Sequence, residues 1–184
     1  MPLQRTTGKE GHNWGFAFLG GDVLIKREIG GRQGAYEISV KEVPEQLLAA
    51  ARRRTTFARI SGEIGRLLEP VWALIKTERP DLRKGGHNVA LYWDETGDGS
   101  IEVGVQVVKR FEATDAVVSS ATPAGPVATT AHFGPYHQLG LASDAVRAWC
   151  QKNGYALAGP FWEVFGDWED DPAKLRTDVF YLLK

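Results

Sequence analysis

The sequence predicts an α+β fold in which a duplicated strand–helix–strand–strand module forms one antiparallel sheet. Two observations support this prediction. Segments that alternate in the manner of strands surround two segments whose apolar residues recur at helical spacing. These segments follow the same order in two halves of the chain, about 36–110 and 116–184, as expected of a duplicated module. We therefore expect the two helices to cover one face of the sheet.

Composition narrows the possible functions before any motif is considered. The 184 residues are 43% hydrophobic and 24% charged, which suits one globular domain or two small modules with a shared core. The formal net charge of −1 provides no basic field, so direct nucleic-acid binding is not expected. No apolar run reaches the roughly 18 residues of a membrane span. The single cysteine, Cys150, fits a cytoplasmic protein.

The first part of the chain differs from the rest. Residues 1–34 contain 8 of the 21 glycines and show no sustained period of a helix or strand. We therefore predict a flexible or poorly ordered N-terminal extension over 1–34 and a folded domain over 35–184. An extension this short and irregular is not expected to form a helix-turn-helix, so the prediction is a ligand domain alone.

In the first half, strand patterns come before a helix. From Tyr36 the sequence YEISVKEV alternates, and QLLAAARRR follows Pro44 as a second extended segment. Apolar residues at intervals of three and four begin near Phe57 and predict a helix that Pro70 kinks or divides and that Pro80 ends. A polar loop then joins two more strands, at 87–93 and 101–108.

The second half repeats this order. Extended segments at 117–121 and 126–133 lie on either side of the turn TPAGP. An amphipathic helix is predicted over 139–152, and Gly154 is a natural stop just beyond it. Two further strands are predicted on either side of the loop GDWEDDPAK, at 159–165 and 176–183.

Alternation along the strands also assigns residues to faces. Val103, Val105 and Val107 form an apolar face that we expect beneath the helices, together with Trp162 and Val164. The opposite face then combines acids with aromatic rings, which is the composition of a ligand cavity rather than of a solvated surface. Its expected members are Asn88, Ala90, Tyr92, Glu102, Phe161, Glu163, Phe165, Asp178 and Phe180.

Glu163 is the most unusual member of this set, because large aromatic residues surround it in the stretch GPFWEVFGDW. One interpretation is a charge anchor for a cationic ligand inside an aromatic box. In that case burial raises the pKa of Glu163 and a bound cation lowers it again. The alternative is a strand glutamate that pairs with Arg176 at the rim, and the residues alone favour this alternative because strand acids are usually solvated or paired.

Three stretches, YEISVKEVPEQ, HFGPYHQL and GPFWEVFGDWEDDPAKLRTDVFYLL, together resemble the GyrI-like small-molecule-binding family. This family includes the gyrase inhibitory protein and the effector domains of AraC-type and MerR-type regulators. The resemblance extends from about Tyr36 to the C-terminus and implies a pseudo-twofold unit with a ligand cavity between its halves. Members bind hydrophobic, often cationic, aromatic compounds, and an acid corresponding to Glu163 lies in the cavity. The resemblance therefore favours the charge anchor.

The sequence departs from the family pattern in two places. The first half has RRRTTF at 52–57 where a G-P-Y turn is expected, and Asp178 stands where glutamate is commoner. A contact from the shorter Asp178 side chain would reach less far.

We expect a stand-alone protein that binds hydrophobic, cationic aromatic small molecules for sensing or sequestration. No cofactor and no metal are predicted, since the histidines lack the spacing of a metal site. By resemblance, two alternatives are a hydrolase of strained electrophilic natural products and a gyrase-inhibitor-like interaction protein. Binding ranks above catalysis because no nucleophile–base pair is recognisable. The predicted ligand-binding residues are Glu163, Phe161, Phe165, Tyr92, Glu102, Asp178 and Phe180.

Overall fold

The computed structural model describes residues 36–55, 57–94 and 99–184. The predicted N-terminal extension lies outside these residues. Within them, eight strands and two α-helices follow one another in the order β1 Ser39–Val43, β2 Leu47–Arg54, α1 Phe57–Ala73, β3 Asn88–Tyr92, β4 Ser100–Gln106, β5 Val118–Ala121, β6 Gly125–Phe133, α2 Leu139–Asn153, β7 Leu157–Phe165 and β8 Arg176–Leu183.

The strands form one sheet in the order β1-β6-β8-β7-β3-β4-β2-β5, and the neighbouring strands pair antiparallel. The sheet order is symmetric about its centre, where β3 of the first half pairs with β7 of the second. Each half also supplies an outer strand to the other half, since β1 pairs with β6 and β5 pairs with β2. The predicted α+β fold with a duplicated module is confirmed.

The two helices differ in how they end. Pro70 lies inside α1 without interrupting it, and regular α-helix ends at Ala73, where a π-helical turn, Leu74–Glu78, takes over. The helix is therefore not divided at Pro70. In contrast, α2 ends as predicted at Gly154, which adopts a left-handed conformation with φ of 76° that suits glycine.

Both helices pack on the same face of the sheet. Leu67 and Val71 of α1 belong to one buried cluster with Val146 of α2 and with Val103 and Val179 of the sheet. Burial of these side chains provides the main driving force for holding the helices on the sheet.

The strand register corrects the predicted assignment of faces. Ala90 of β3 lies opposite Val103 on one side and opposite Glu163 on the other, so all three residues share one face. The expectation that Glu163 and Val103 point to opposite faces is therefore wrong. Trp162 pairs with Leu91 and lies on the face away from the helices, within a second buried apolar cluster.

The reason for this error is that β3 is buried at every position and apolar at four of five. Alternation cannot distinguish the two faces of such a strand, and the register with its neighbours is set by the connecting loops.

None of the described helices is both long and apolar enough to cross a bilayer.

Candidate functional site

The centre of the sheet lies between the two helices. Helix α1 packs over β2 and β4, and α2 packs over β6 and β8, which leaves β3 and β7 between them. We call this region between the helices the central cleft, although most of its side chains are buried in the structure. Its floor is formed by the helix-side residues of the two strands, namely Asn88, Ala90 and Tyr92 of β3 and Phe161, Glu163 and Phe165 of β7.

Glu163 is the acid of this floor, and it is only 8% exposed. The Tyr92 hydroxyl donates a hydrogen bond of 3.2 Å to Glu163 Oε2. Among the described residues, no lysine or arginine forms an ion pair with Glu163. Burial raises the pKa of Glu163 from 4.5 to about 7, and the Tyr92 hydrogen bond opposes this rise only in part. The carboxyl group therefore changes its charge near neutral pH.

Tyr92 is held as a neutral donor, because burial and the nearby Glu163 raise its pKa well above the ordinary value. Its ring stacks on Phe161 with centroids 4.3 Å apart and an interplanar angle of 3°. Phe161 stacks in turn on Tyr181 at 4.8 Å and 6°. This row of three rings crosses β3, β7 and β8 because the three residues are register partners.

A second aromatic contact lies on the other side of Glu163 along β7. Phe165 meets the edge of Tyr136 with centroids 5.5 Å apart and an interplanar angle of 89°. Tyr136 comes from the short turn just before α2, within the GPY sequence. Aromatic rings therefore lie on both sides of the buried carboxyl group along β7.

Four of the seven predicted ligand-binding residues meet in the central cleft. They are Tyr92, Phe161, Glu163 and Phe165.

The other three, Glu102, Asp178 and Phe180, lie on the opposite face, where they pair with Leu91, Val164 and Trp162. The sequence-based prediction grouped them with Glu163 because it assigned the faces of neighbouring strands to the wrong sides of the sheet. Glu102 is completely buried and accepts hydrogen bonds from Arg52 Nε at 2.8 Å and Trp93 Nε1 at 3.1 Å.

The ion pair considered as the alternative for Glu163 is not formed. The Arg176 guanidinium instead pairs with Asp178, with Nη2 and Oδ1 2.9 Å apart. Phe180, the third residue on that face, stacks on Trp162 at 5.3 Å.

Two aromatic residues of the site were missed in the sequence, Tyr181 and Tyr136. Tyr181 lies on the helix side as its alternation indicates, but its contact with Phe161 depends on the β7–β8 register. Tyr136 approaches Phe165 through the path of the turn before α2. Among the residues that the structure describes, no group of three or more histidine, cysteine or acidic side chains is arranged to hold a metal ion.

The architecture agrees with the comparisons to known proteins. The model of the GyrI-like small molecule binding domain matches residues 36–184, and the chain belongs to this family. No curated protein matches the chain.

Solved structures share the fold. The C-terminal domain of EcmrR is 22% identical with a TM-score of 0.70, over 81% of this chain and 98% of that chain. SAV2435 bound to tetraphenylphosphonium is 12% identical with a TM-score of 0.59, over 80% and 94%. A hydrolase from Listeria innocua is 10% identical with a TM-score of 0.54, over 80% and 92%. At these identities the likeness concerns the fold alone.

Proposed function

We propose that this protein binds hydrophobic, cationic aromatic small molecules in the central cleft and thereby senses or sequesters them. The observation that carries this proposal is Glu163, a buried carboxyl group whose hydrogen bond comes from a neutral phenol. A carboxylate in such a place is costly unless a cation compensates it. A ligand cation would supply that compensation, and the rings of Tyr92, Phe161 and Phe165 would surround its aromatic body.

The expected energies agree with this function. A cation over an aromatic ring gains about 0.5–2 kcal/mol, depending on how far it is desolvated. A carboxylate a few ångströms away adds Coulomb attraction, which is strengthened in a region of low dielectric constant. The tetraphenylphosphonium bound to SAV2435 is a lipophilic cation of this kind in a protein of similar fold, which supports the same class of ligand here.

The proposal also concerns the extent and setting of the ligand domain. We infer that residues 35–184 form the ligand-binding unit, since the described sheet and both helices lie within them. The buried and single cysteine, Cys150, supports a reducing compartment such as the cytoplasm. The near-neutral net charge gives no support for direct binding of nucleic acid.

A pair of titrations tests the binding function. The probes are 10-methylacridinium, which is cationic, and 9-methylacridine at pH 8, which has the same ring system without a charge. Glu163→Gln should weaken binding of the cation by about 1–3 kcal/mol, on the scale of a charged hydrogen bond. It should change binding of the neutral probe much less, because the aromatic rings remain.

Glu102→Gln is the matched control, since it neutralises a second buried carboxylate on the opposite face. It should leave the affinity for both probes unchanged. Equal losses for the cationic and the neutral probe in Glu163→Gln would show that Glu163 supports the structure rather than recognising charge.

Hydrolysis is the second candidate function, because a carboxyl group whose pKa is about 7 is suited to act as a general base. The solved structure from Listeria innocua, which has a similar fold, is described as a hydrolase, and this supports hydrolysis as a candidate function here. However, Glu102 lies on the opposite face of the sheet, so Tyr92 is the described polar group in contact with Glu163. Turnover of an epoxide that disappears in Glu163→Gln would favour hydrolysis over binding.

A further inference from the structure

Asn88 is a polar residue of the central cleft that the proposed function does not use. It lies on β3 directly opposite Phe165 of β7 and diagonally from Glu163, on the same face of the sheet. Side chains in this diagonal relation have their Cβ atoms roughly 7 Å apart, within the span of one aromatic ligand. Asn88 is 8% exposed, so its amide is almost completely removed from bulk water.

Trp72 fixes the orientation of this amide. The Trp72 indole nitrogen donates a hydrogen bond of 3.2 Å to Asn88 Oδ1. Because an indole is a donor only, the oxygen of the amide must face the ring and the NH2 group must point away from it. Trp72 belongs to α1, which packs over β2 and β4, on the β4 side of β3. On the other side of β3, β7 brings Phe165 directly opposite Asn88 and Glu163 diagonally from it.

The Trp72 ring is itself held in place by two cations. The Arg83 guanidinium lies 4.9 Å from the ring centroid and the Lys76 ammonium lies 5.4 Å from it. These contacts limit the movement of the indole and therefore the rotation of the Asn88 amide. The donor of Asn88 is thus oriented before any ligand arrives.

The NH2 group of this amide has no hydrogen-bond acceptor among the described residues, and it is not one of the completely enclosed atoms that lack a partner. A second polar atom in the same row of the sheet is also unpartnered. Thr177 lies opposite Phe165 on β8, and its completely buried Oγ1 has no hydrogen-bond partner. The enclosed Thr177 Oγ1 offers no approach for a ligand, whereas the unpartnered and incompletely enclosed NH2 group of Asn88 is a donor that a ligand acceptor can satisfy.

We propose that Asn88 is a specificity-determining residue of the central cleft, and that the preferred ligand is an aromatic cation that also carries a hydrogen-bond acceptor. This inference rests on the proposed function, since Glu163 binds the charge. The acceptor, a carbonyl or ether oxygen, receives the Asn88 N–H. A lipophilic cation without an acceptor, such as tetraphenylphosphonium, would meet Glu163 but leave the Asn88 N–H without a partner.

Two quinolinium ions test this inference. The probes are 6-acetyl-1-methylquinolinium and 6-isopropenyl-1-methylquinolinium, which share charge and shape but differ in a carbonyl oxygen. The acetyl compound should bind the wild-type protein about three- to tenfold more tightly, the effect of one net hydrogen bond. Asn88→Asp keeps the acceptor for Trp72 and removes the donor, so it should abolish this preference.

Two further variants separate specificity from folding. Trp72→Phe removes the indole N–H and frees the amide to rotate, so the preference for the acetyl compound should fall partway. Asn153→Asp makes the same chemical change at an exposed position on α2 and should leave the preference unchanged. Because both probes carry one positive charge, their affinity ratio is insensitive to the charge that either aspartate adds.

The outcomes distinguish this inference from the proposed function. Equal binding of both ions to the wild-type protein would overturn the role of Asn88 and leave the binding of cations intact. A preference that persists in Asn88→Asp would also overturn it, because another residue would then contact the carbonyl. Failure of both ions to bind would overturn the proposed function and this inference together.

Discussion

Replacing Glu163 by glutamine removes a charge while it keeps the shape of the side chain and the acceptor for Tyr92. In the wild-type protein, burial raises the pKa of Glu163 from 4.5 to about 7. A carboxyl group whose pKa is raised by folding stabilises the folded protein fully at pH values below its pKa in the unfolded chain. This stabilisation is lost as the pH rises through the pKa of the group in the folded protein. We therefore expect the free energy of unfolding of the wild type to fall between about pH 4.5 and pH 7, relative to the variant.

The size of this effect follows from the two pKa values. Each tenfold change in a proton-binding constant is worth about 1.4 kcal/mol, so the charged carboxylate costs the folded protein about 3 kcal/mol at pH 8. At pH 5 the cost is about 1 kcal/mol, because most of Glu163 is protonated in the folded state. The stability of Glu163→Gln relative to wild type should therefore rise by about 2–3 kcal/mol between pH 5 and pH 8.

The assay is urea unfolding of both proteins at pH 5, 6, 7 and 8, followed by far-ultraviolet circular dichroism. The difference between two pH values cancels any effect of the amide itself on packing. Glu102→Gln is the control, and it should be less stable than wild type at pH 8 because the Arg52 guanidinium loses its carboxylate. A stability difference for Glu163→Gln that is the same at pH 5 and pH 8 would refute the argument.

Two further predictions test the site and the fold. Tyr92→Phe removes the donor that stabilises the charged form of Glu163. At pH 8 the free energy of unfolding in urea should therefore fall by about 1 kcal/mol, and 10-methylacridinium should bind less tightly. An unchanged affinity would exclude Tyr92 from charge recognition. Gly104→Ala would bring a methyl group against the carbonyl oxygen of Ala49 and within 2.8 Å of the Ala50 Cα, so it should cost about 1–3 kcal/mol; a neutral effect in urea unfolding would contradict the β2–β4 register.

Local signals in the sequence were sufficient to predict the elements and their order. The strand β8 was predicted with the bounds that the structure shows, 176–183, because a polar loop precedes it and its run VFYLL is rich in strand-forming residues. The end of α2 was predicted from Gly154, whose left-handed conformation only glycine adopts at low cost. The duplicated order of these elements is enough to predict the class of fold.

Properties that depend on pairing between strands could not be predicted in the same way. Both faces of β3 contain apolar side chains, so the sequence NVALY contains no clear signal for which face meets the helices. The correct and the incorrect alignment of a strand against its neighbour differ by a shift of one residue, and this shift moves every side chain of the strand to the other face of the sheet. Glu102, Asp178 and Phe180 were grouped with Glu163 for this reason.

The identity of Glu163 as the central acid was predicted from its aromatic neighbours in sequence, while its surroundings were not. The neighbours Phe161 and Phe165 share its face because they are two residues away on the same strand. Tyr181, Asn88 and Thr177 approach the site through pairing with β7 or β3, which a single sequence does not reveal.

Proton release on binding tests the charge recognition by Glu163 most directly. A cation in the central cleft should lower the pKa of Glu163 again, so binding of 10-methylacridinium at pH 7 should release about half a proton. Calorimetric titrations in phosphate and in Tris, whose heats of ionisation differ, measure this number. We expect the release to approach one proton at pH 6, to be small at pH 8, and to be absent in Glu163→Gln. A binding heat that is independent of the buffer at pH 7, or the same proton release in the variant, would contradict the role of Glu163 as the anion that meets the ligand.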